Sequence, residues 1–333
     1  MAHDWLLVET LGEEPVVVAQ GDQLKNLVPL TVFLRRNLQV EAVVQAVAET
    51  AATAMAQRSH LQNDRLIRTE PVVMSDGRVH GVQVWLGPLR VAVPPRPVPG
   101  PLVWNLTTGV ATDTPQSLAN SGMDPATERT HGRTFAEDLP TRDRNPSETK
   151  VLSMAIKSQP GATFCSTWDV TDRSGTLITV AFVARALTEK ADDGSDHLVS
   201  RAMNWRSHRD APVVAPDLLA QRILDSLARP GSYRALVDIN TWTLLKWLDE
   251  PCPLYDWRGR DGAPWVHPED MPLMGTMATE LDSGITERVL RLPGLDVDWV
   301  PMHVTVHRVE LDTDTFAGLI TLRRPTTAEL AQL

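Results

Sequence analysis

The chain has 333 residues, 42% hydrophobic and 22% charged, a length and composition that suit a globular protein with two or three cores, and three are expected. Its formal net charge is −10, with 42 acidic against 32 basic residues, so a nucleic-acid or anionic-membrane partner, which needs a basic surface, is not expected. No run of 18 apolar residues occurs, and Met1-Ala2-His3-Asp4 lacks the basic start and apolar stretch of a signal peptide, so the expected location is cytoplasmic.

The first domain is expected over residues 1–87. Trp5–Leu11 and Pro15–Ala19, split by Gly12-Glu13-Glu14, have the pattern of a β-hairpin. Helices are expected over Leu27–Leu34 and Glu41–Met55, the second with Val43, Val44, Val47 and Ala51 on one face. Leu66–Met74 and Arg78–Leu86 flank Ser75-Asp76-Gly77 and form a closing hairpin. Residues 88–101 hold six prolines, which favours an extended connector.

A second domain is expected over residues 102–196. Leu102–Leu106 and Val110–Thr112 flank Thr107-Thr108-Gly109 as an opening hairpin, Pro115–Ser121 and Ser147–Ser158 are helical, and Asn145-Pro146-Ser147-Glu148 is a helix start. Thr163–Val170 and Thr176–Ala186 close the domain as a hairpin. The charged, small-residue stretch Thr188–Asp196 is expected as a loop that ends it. Residues 197–230 are expected as a linker region with a helix at Asp217–Ala228.

The third domain, residues 231–333, has strands expected at Tyr233–Asp238, Thr243–Trp247, Ile285–Leu292, Val297–His307 and Thr315–Leu322, with a helix at Asp270–Leu281. In Trp265-Val266-His267-Pro268-Glu269-Asp270-Met271, the proline breaks helical geometry and the two acids then favour a helix N-terminus. Three copies of one order about a hundred residues apart make the expected fold class α+β, a tandem array of antiparallel sheets flanked by helices.

The His-Pro-Glu-Asp step resembles the one before the last helix and three-stranded finish of PAS sensor domains. Two strands, helices, then three strands is the plan shared by PAS and GAF domains. His3–Gly12, Arg68–Gly81 and His131–Arg142 resemble a mycobacterial family of proteins made of sensor domains only. That resemblance implies one GAF-like domain, placed first, and two PAS-like domains, with no attached kinase, cyclase or DNA-binding output and no assigned ligand or catalytic residue.

No catalytic residue and no metal site is expected. Cys165 and Cys252 lie in neither a flavin-adduct nor a bilin-linkage context, and both are expected as structural residues. Alternation in Met302–His307 puts His303, Thr305 and His307 on one sheet face, expected to be solvated, with a polar face in a ligand cavity or at a domain interface as the alternative and haem ligation by one histidine as the third; the imidazoles are about 13 Å apart and too distant to share a metal. Ser147-Glu148-Thr149-Lys150 fits the serine-lysine nucleophile motif but lacks its companion motifs, and helix capping accounts for it. Asp4, Asp22, Asp64, Asp138, Asp143 and Asp169 are scattered at turns, without a spacing suited to acid/base work.

Ten tryptophans stand against two tyrosines, and Trp242, Trp247, Trp257 and Trp265 fall within 24 residues of the third domain. These four are expected as core and pocket rim, the best candidates for a binding cavity. No cofactor is identifiable. The expected function is non-enzymatic cytoplasmic signalling, with binding of a ligand or protein partner relayed in trans. A constitutive scaffold with filled cavities is the alternative, and an unrecognised enzyme the third reading.

Overall fold

The computed structural model describes residues 4–139, 145, 147–208, 226–259 and 264–331. Its strands form three antiparallel sheets with few helices. The chain divides into two compact units: Met1–Trp104, Thr112–His131 and Gln159–Pro212 make the first, and Asn105–Ala111, Gly132–Ser158 and Val213–Leu333 the second. Among the described residues no helix is long and apolar enough to cross a membrane.

In the first unit β1 (Leu6–Glu9), β2 (Val16–Gln20), β3 (Gln23–Pro29), β4 (Gln57–Leu61), β5 (Arg65–Val73) and β6 (Val79–Pro88) form a sheet of order β3-β2-β1-β6-β5-β4. Residues alternate across a strand, so Leu6 and Val8 face one core while Leu7 faces another. Helix α2 (Val40–Thr53) covers the Leu6 side through Val43, Ala46 and Val47, which recur at helical spacing. It ends at Ala54, in the left-handed region at φ 54°. Both faces of β1 and β2 are thus covered, which explains why they are continuously apolar rather than alternating.

The helix expected at Leu27–Leu34 is reduced to α1 (Leu30–Phe33). Before it, β3 pairs with β2, Val28 opposite Val17, and Leu24 and Leu27 pack into the core on the Leu7 side, so pairing and burial override local helical periodicity.

The second sheet in this unit runs through β7 (Gly100–Asn105), β8 (Val110–Asp113), β10 (Thr163–Thr171), β11 (Leu177–Lys190) and β12 (Asp196–Arg206), in the order β10-β11-β12-β7-β8. Short β9 (Arg133–Thr134) pairs with the start of β8 in the second unit, Val110 opposite Thr134. Strand β12 replaces the start of the expected linker. It pairs with β11 over eleven residues, from Val180↔Arg206 to Lys190↔Asp196, so the charged stretch expected as a loop is the paired end of a hairpin closed by a turn at residues 191–195. Its buried Arg201 and Asn204 are satisfied internally. Asn204 donates to the carbonyl of Ser117 in α3 (Pro115–Asn120), and the Asn120 amide donates to Asn204. The expected helix at Asp217–Ala228 lies mostly outside the described residues, as does Asp143.

Leu7, Val16 and Val18 of the first sheet meet Ala181, Val183, Met203 and Trp205 of the second. A polar seam runs beside this apolar contact. Buried Glu9 accepts from Arg185 at 2.7 and 3.1 Å, and Arg201 pairs with Glu189 at 2.6 Å and Asp76 at 2.7 Å. Burial works against the charges of Asp76 and Glu189, but the Arg201 bonds outweigh it and hold both carboxyls below their ordinary values.

In the second unit β13 (Ser232–Val237), β14 (Leu244–Trp247), β15 (Ile285–Pro293), β16 (Trp299–Asp312) and β17 (Thr315–Arg323) form a sheet of order β14-β13-β17-β16-β15. Counted within this domain, the order is 2-1-5-4-3, with the first strand beside the last. The first sheet has the same plan with one extra strand, β3, at the edge beyond β2, giving 3-2-1-6-5-4. Between β14 and β15 lies α6 (Met271–Glu280), whose Met274 and Met277 join Trp247, Leu290, Met302 and Val304 in the core.

The His-Pro-Glu-Asp step does start this helical stretch. Pro268–Asp270 is a 3-10 turn, and the His267 ring accepts from the Glu269 N–H at 3.3 Å. Asp270 is buried and clamps the turn to β15, accepting from Arg291 N at 2.8 Å, Nε at 3.0 Å and a terminal guanidinium nitrogen at 2.6 Å. Asp270→Ala is expected to cost about 2–3 kcal/mol, the range for charge-assisted bonds to a buried acceptor, read as a lower urea midpoint. An unchanged midpoint would show that the clamp contributes nothing.

Helix α5 (Glu148–Lys157), expected with the second domain, packs in the second unit, as does α4 (Phe135–Asp138), which the sequence pattern did not announce. Ala136 joins the C-terminal core, and α5 lies against β16 and β17. His303 departs from the solvated reading: it is buried, 3.4 Å from the Glu329 carboxylate of α7 (Thr327–Leu330), whereas His307 is exposed.

Candidate functional site

The site with the most chemistry lies in the second unit, around the loop joining β13 to β14. Asp238 is buried, and its carboxylate accepts from the Asn240 backbone N–H at 2.9 Å, the Asn240 amide at 3.0 Å and the Thr241 hydroxyl at 2.9 Å. The Trp242 N–H donates to the Asp238 carbonyl at 2.7 Å. These bonds hold Trp242 at φ 60°, a left-handed conformation that costs a bulky residue about 1–3 kcal/mol and is concentrated at functional sites.

Trp242 stacks on Trp265, ring centroids 6.3 Å apart and 23° between planes. Trp247 is buried and meets Trp257 edge to face at 5.9 Å, with the Arg258 guanidinium 5.0 Å from the Trp257 ring centre. The structure therefore brings all four expected tryptophans into one neighbourhood, as two pairs.

Two spaces adjoin them. An interior void of about 30 Å3 is lined by Trp242, Trp247, Trp265, Tyr255, Met274 and other core residues. It has room for a water molecule but not for a metabolite. Outside it lies a cleft of about 820 Å3, lined by Trp242, Trp257, Trp265 and Trp299 together with threonines and the Arg133 and Tyr255 side chains. Trp242, Leu244, Tyr255 and Trp265 line both spaces, so the tryptophan stack stands between core and cleft. Burial pushes the Tyr255 hydroxyl above its ordinary value and keeps it neutral. The buried Trp247 indole N–H has no hydrogen-bond acceptor among the described residues.

Sequence reasoning missed Trp299 and the Gly132-Arg133-Thr134 wall. Trp299 opens β16 opposite Pro293 and meets the His267 ring at 4.9 Å, so the signal was a tryptophan at the far end of a strand hairpin from the cluster. Arg133 is 1% exposed, paired with Asp138 at 2.6 Å and with Glu137 at 3.9 Å. Nothing local in the sequence announces that.

The β7–β8 turn forms another wall. Gly109 has φ 73°, and a Cβ there would lie 2.4 Å from the Thr243 methyl. Gly109→Val is expected to destabilise by about 1–3 kcal/mol through clash and backbone strain, measured as a fall in melting temperature.

The remaining candidates are not gathered. Cys252 is buried in the C-terminal core and Cys165 is half-buried, 3.2 Å from the Asn26 side-chain oxygen, and burial pushes both thiols up. Ser147 precedes α5 and Lys150 is exposed, while Glu148 between them pairs with buried Lys246. The Ser147 side chain makes no capping hydrogen bond to the helix, so capping does not account for the motif. No group of three or more metal-ligating side chains occurs among the described residues.

Fold and site together define an antiparallel α+β protein of three tandem domains, with an aromatic cleft beside the last sheet. The chain belongs to the Rv3651-like family: its N-terminal, middle and C-terminal models match residues 4–95, 98–207 and 217–333. It is 58% identical to an uncharacterised protein from Mycobacterium tuberculosis whose crystal structure matches with TM-score 0.91 over 99% of each chain. A sensory box histidine kinase/response regulator from Burkholderia thailandensis E264 is 15% identical, with TM-score 0.24 over 38% of this chain and 86% of that one. An RNA-binding light-oxygen-voltage receptor is 12% identical, with TM-score 0.23 over 100% of each chain. At those scores neither carries an argument about fold or function. No curated protein matches.

Proposed function

We propose that the chain is a non-enzymatic signalling protein of sensor-type domains, PAS-like in its C-terminal part, which works by binding and relays the change to another protein. One observation carries this reading. The sheet of order 2-1-5-4-3, with its helix between the second and third strands, is the plan of PAS domains, and a strained aromatic pair separates its core from an open cleft. A ligand that prefers one arrangement of Trp242 and Trp265 would shift the population of the whole β13–β14 loop, because Asp238 ties that loop together. GAF-like character of the first domain and action in trans at a cytoplasmic partner belong to the same proposal.

A native mass spectrum and an absorbance spectrum of gently purified, unlabelled protein test it. A stoichiometric mass that leaves on denaturation supports a sensor and names its chemical class. A second reading, a constitutive scaffold with filled domains, is favoured by the interior void of only about 30 Å3. An empty chain with a stable protein partner, whose amide exchange is unaltered by metabolites, would establish the scaffold instead.

A further inference from the structure

We propose that the cleft of the second unit binds a neutral carbohydrate, with pyranose rings laid on its tryptophan faces. The inference deepens the sensor reading and rests on it for the role of the cleft as a ligand site.

Three observations converge. First, Trp242, Trp257, Trp265 and Trp299 are all half-buried and line this one space. An indole face left against water forfeits burial free energy, and its negative quadrupole suits the weakly positive C–H face of a sugar ring.

Second, the other walls carry hydroxyls. Thr107, Thr108, Thr134, Thr241 and Thr243 line the cleft beside the carboxylates of Asp256 and Asp298. A hydroxyl both donates and accepts and a carboxylate accepts twice, which matches adjacent sugar hydroxyls. A purely apolar ligand would strip water from these polar groups, at a cost.

Third, the cleft has no excess of positive charge. The lining cations Arg133 and Arg258 face Glu137, at 3.9 and 3.8 Å, and Arg133 also holds Asp138 at 2.6 Å. With Asp256 and Asp298 added, no excess of positive charge attracts a phosphate or carboxylate ligand. A volume of about 820 Å3 is in the range of ligand pockets and accommodates more than one sugar ring.

The test uses the intact protein. Maltotriose, cellotriose and mannotriose are titrated by calorimetry and tryptophan fluorescence, with choline and AMP as the cationic and anionic alternatives. At least one sugar is expected to bind saturably and change the fluorescence. Its affinity is expected to fall roughly five- to tenfold in Trp265→Ala, the worth of one stacked ring. Trp299→Ala at the cleft rim serves if the first variant does not fold, and Thr108→Val tests the hydroxyl wall.

Absence of sugar binding at about 10 mM overturns the proposal, as does sugar binding unchanged in every variant, or tight binding of choline or AMP alone. Failure of the two readings separates cleanly. A retained non-carbohydrate mass with no sugar binding sinks the carbohydrate and leaves the sensor. Sugar binding that is lost in the variants but leaves amide exchange unchanged beyond the cleft supports the carbohydrate and removes the sensor.

Discussion

Arg133→Met is expected to lower stability by about 3–5 kcal/mol, the range seen when one partner of a buried ion pair is removed. The guanidinium is 1% exposed, and its carboxylate partners Glu137 and Asp138 have side chains only 6% and 9% exposed. Methionine fills similar volume, so the loss reports uncompensated negative charge more than a cavity. The melting temperature should fall on the order of 10 °C. Adding Glu137→Gln and Asp138→Asn should restore most of it, since a neutral cluster has no charge left to compensate. If the triple variant is no more stable than Arg133→Met, packing by the arginine stem and not charge is what counts. The cluster also anchors one wall of the tryptophan cleft, so the single variant is expected to weaken any ligand bound there.

Acid should weaken the first unit well above the pH at which its carboxylates titrate. His80 is fully buried, its Nδ1 2.9 Å from the Ala202 carbonyl and its Nε2 3.0 Å from an Arg201 guanidinium nitrogen. Arg201 can only donate, so Nε2 accepts, Nδ1 carries the proton, and the ring is neutral. Burial, reinforced by the Arg201 and Arg78 charges, pushes the imidazole down from 6.5 to about 4, against the opposing pull of the Ala202 bond and Asp76.

The direction follows from proton binding. Above pH 6.5 neither the folded nor the unfolded histidine is protonated and His80 contributes no pH dependence. As the pH falls from 6.5 towards 4 the unfolded chain takes up a proton that the folded one refuses, so stability is lost at about 1.4 kcal/mol per unit, about 3 kcal/mol in all. Urea midpoints at pH 7 and pH 4.5 measure it. His80→Gln should flatten the difference, and an equal slope in the variant would place the acid sensitivity elsewhere. The pairing of Asp76 and Glu189 with Arg201 weakens only at lower pH, because their carboxyls are held below the usual range.

Most strands were legible in the sequence. The hairpins at β5–β6 and β10–β11 join apolar runs through glycine turns, and each strand end was expected within four residues of its place. The helix after His-Pro-Glu-Asp and the tryptophan neighbourhood were legible too, because proline geometry, early acids and aromatic crowding are local signals. What was hidden is what depends on partners distant in the chain. Strand β12 reads as polar because Arg201 and Asn204 are answered by Glu189 and by Asn120, with which they share no local pattern. Strand β3 reads as helical until β2 claims its backbone.

The three-fold recurrence of strands, helices and strands, the acidic balance and the concentration of tryptophan near the C-terminus follow from local order alone. Periodicity, turn chemistry and composition act within a few residues and survive without the fold. Only the tertiary structure decided that α4 and α5 join the C-terminal core, that His303 and His80 are buried, and that Trp299, Arg133 and Gly109 close around Trp242. Each of those depends on which distant surfaces meet, because burial and the pairing of charges are properties of contact and not of order along the chain.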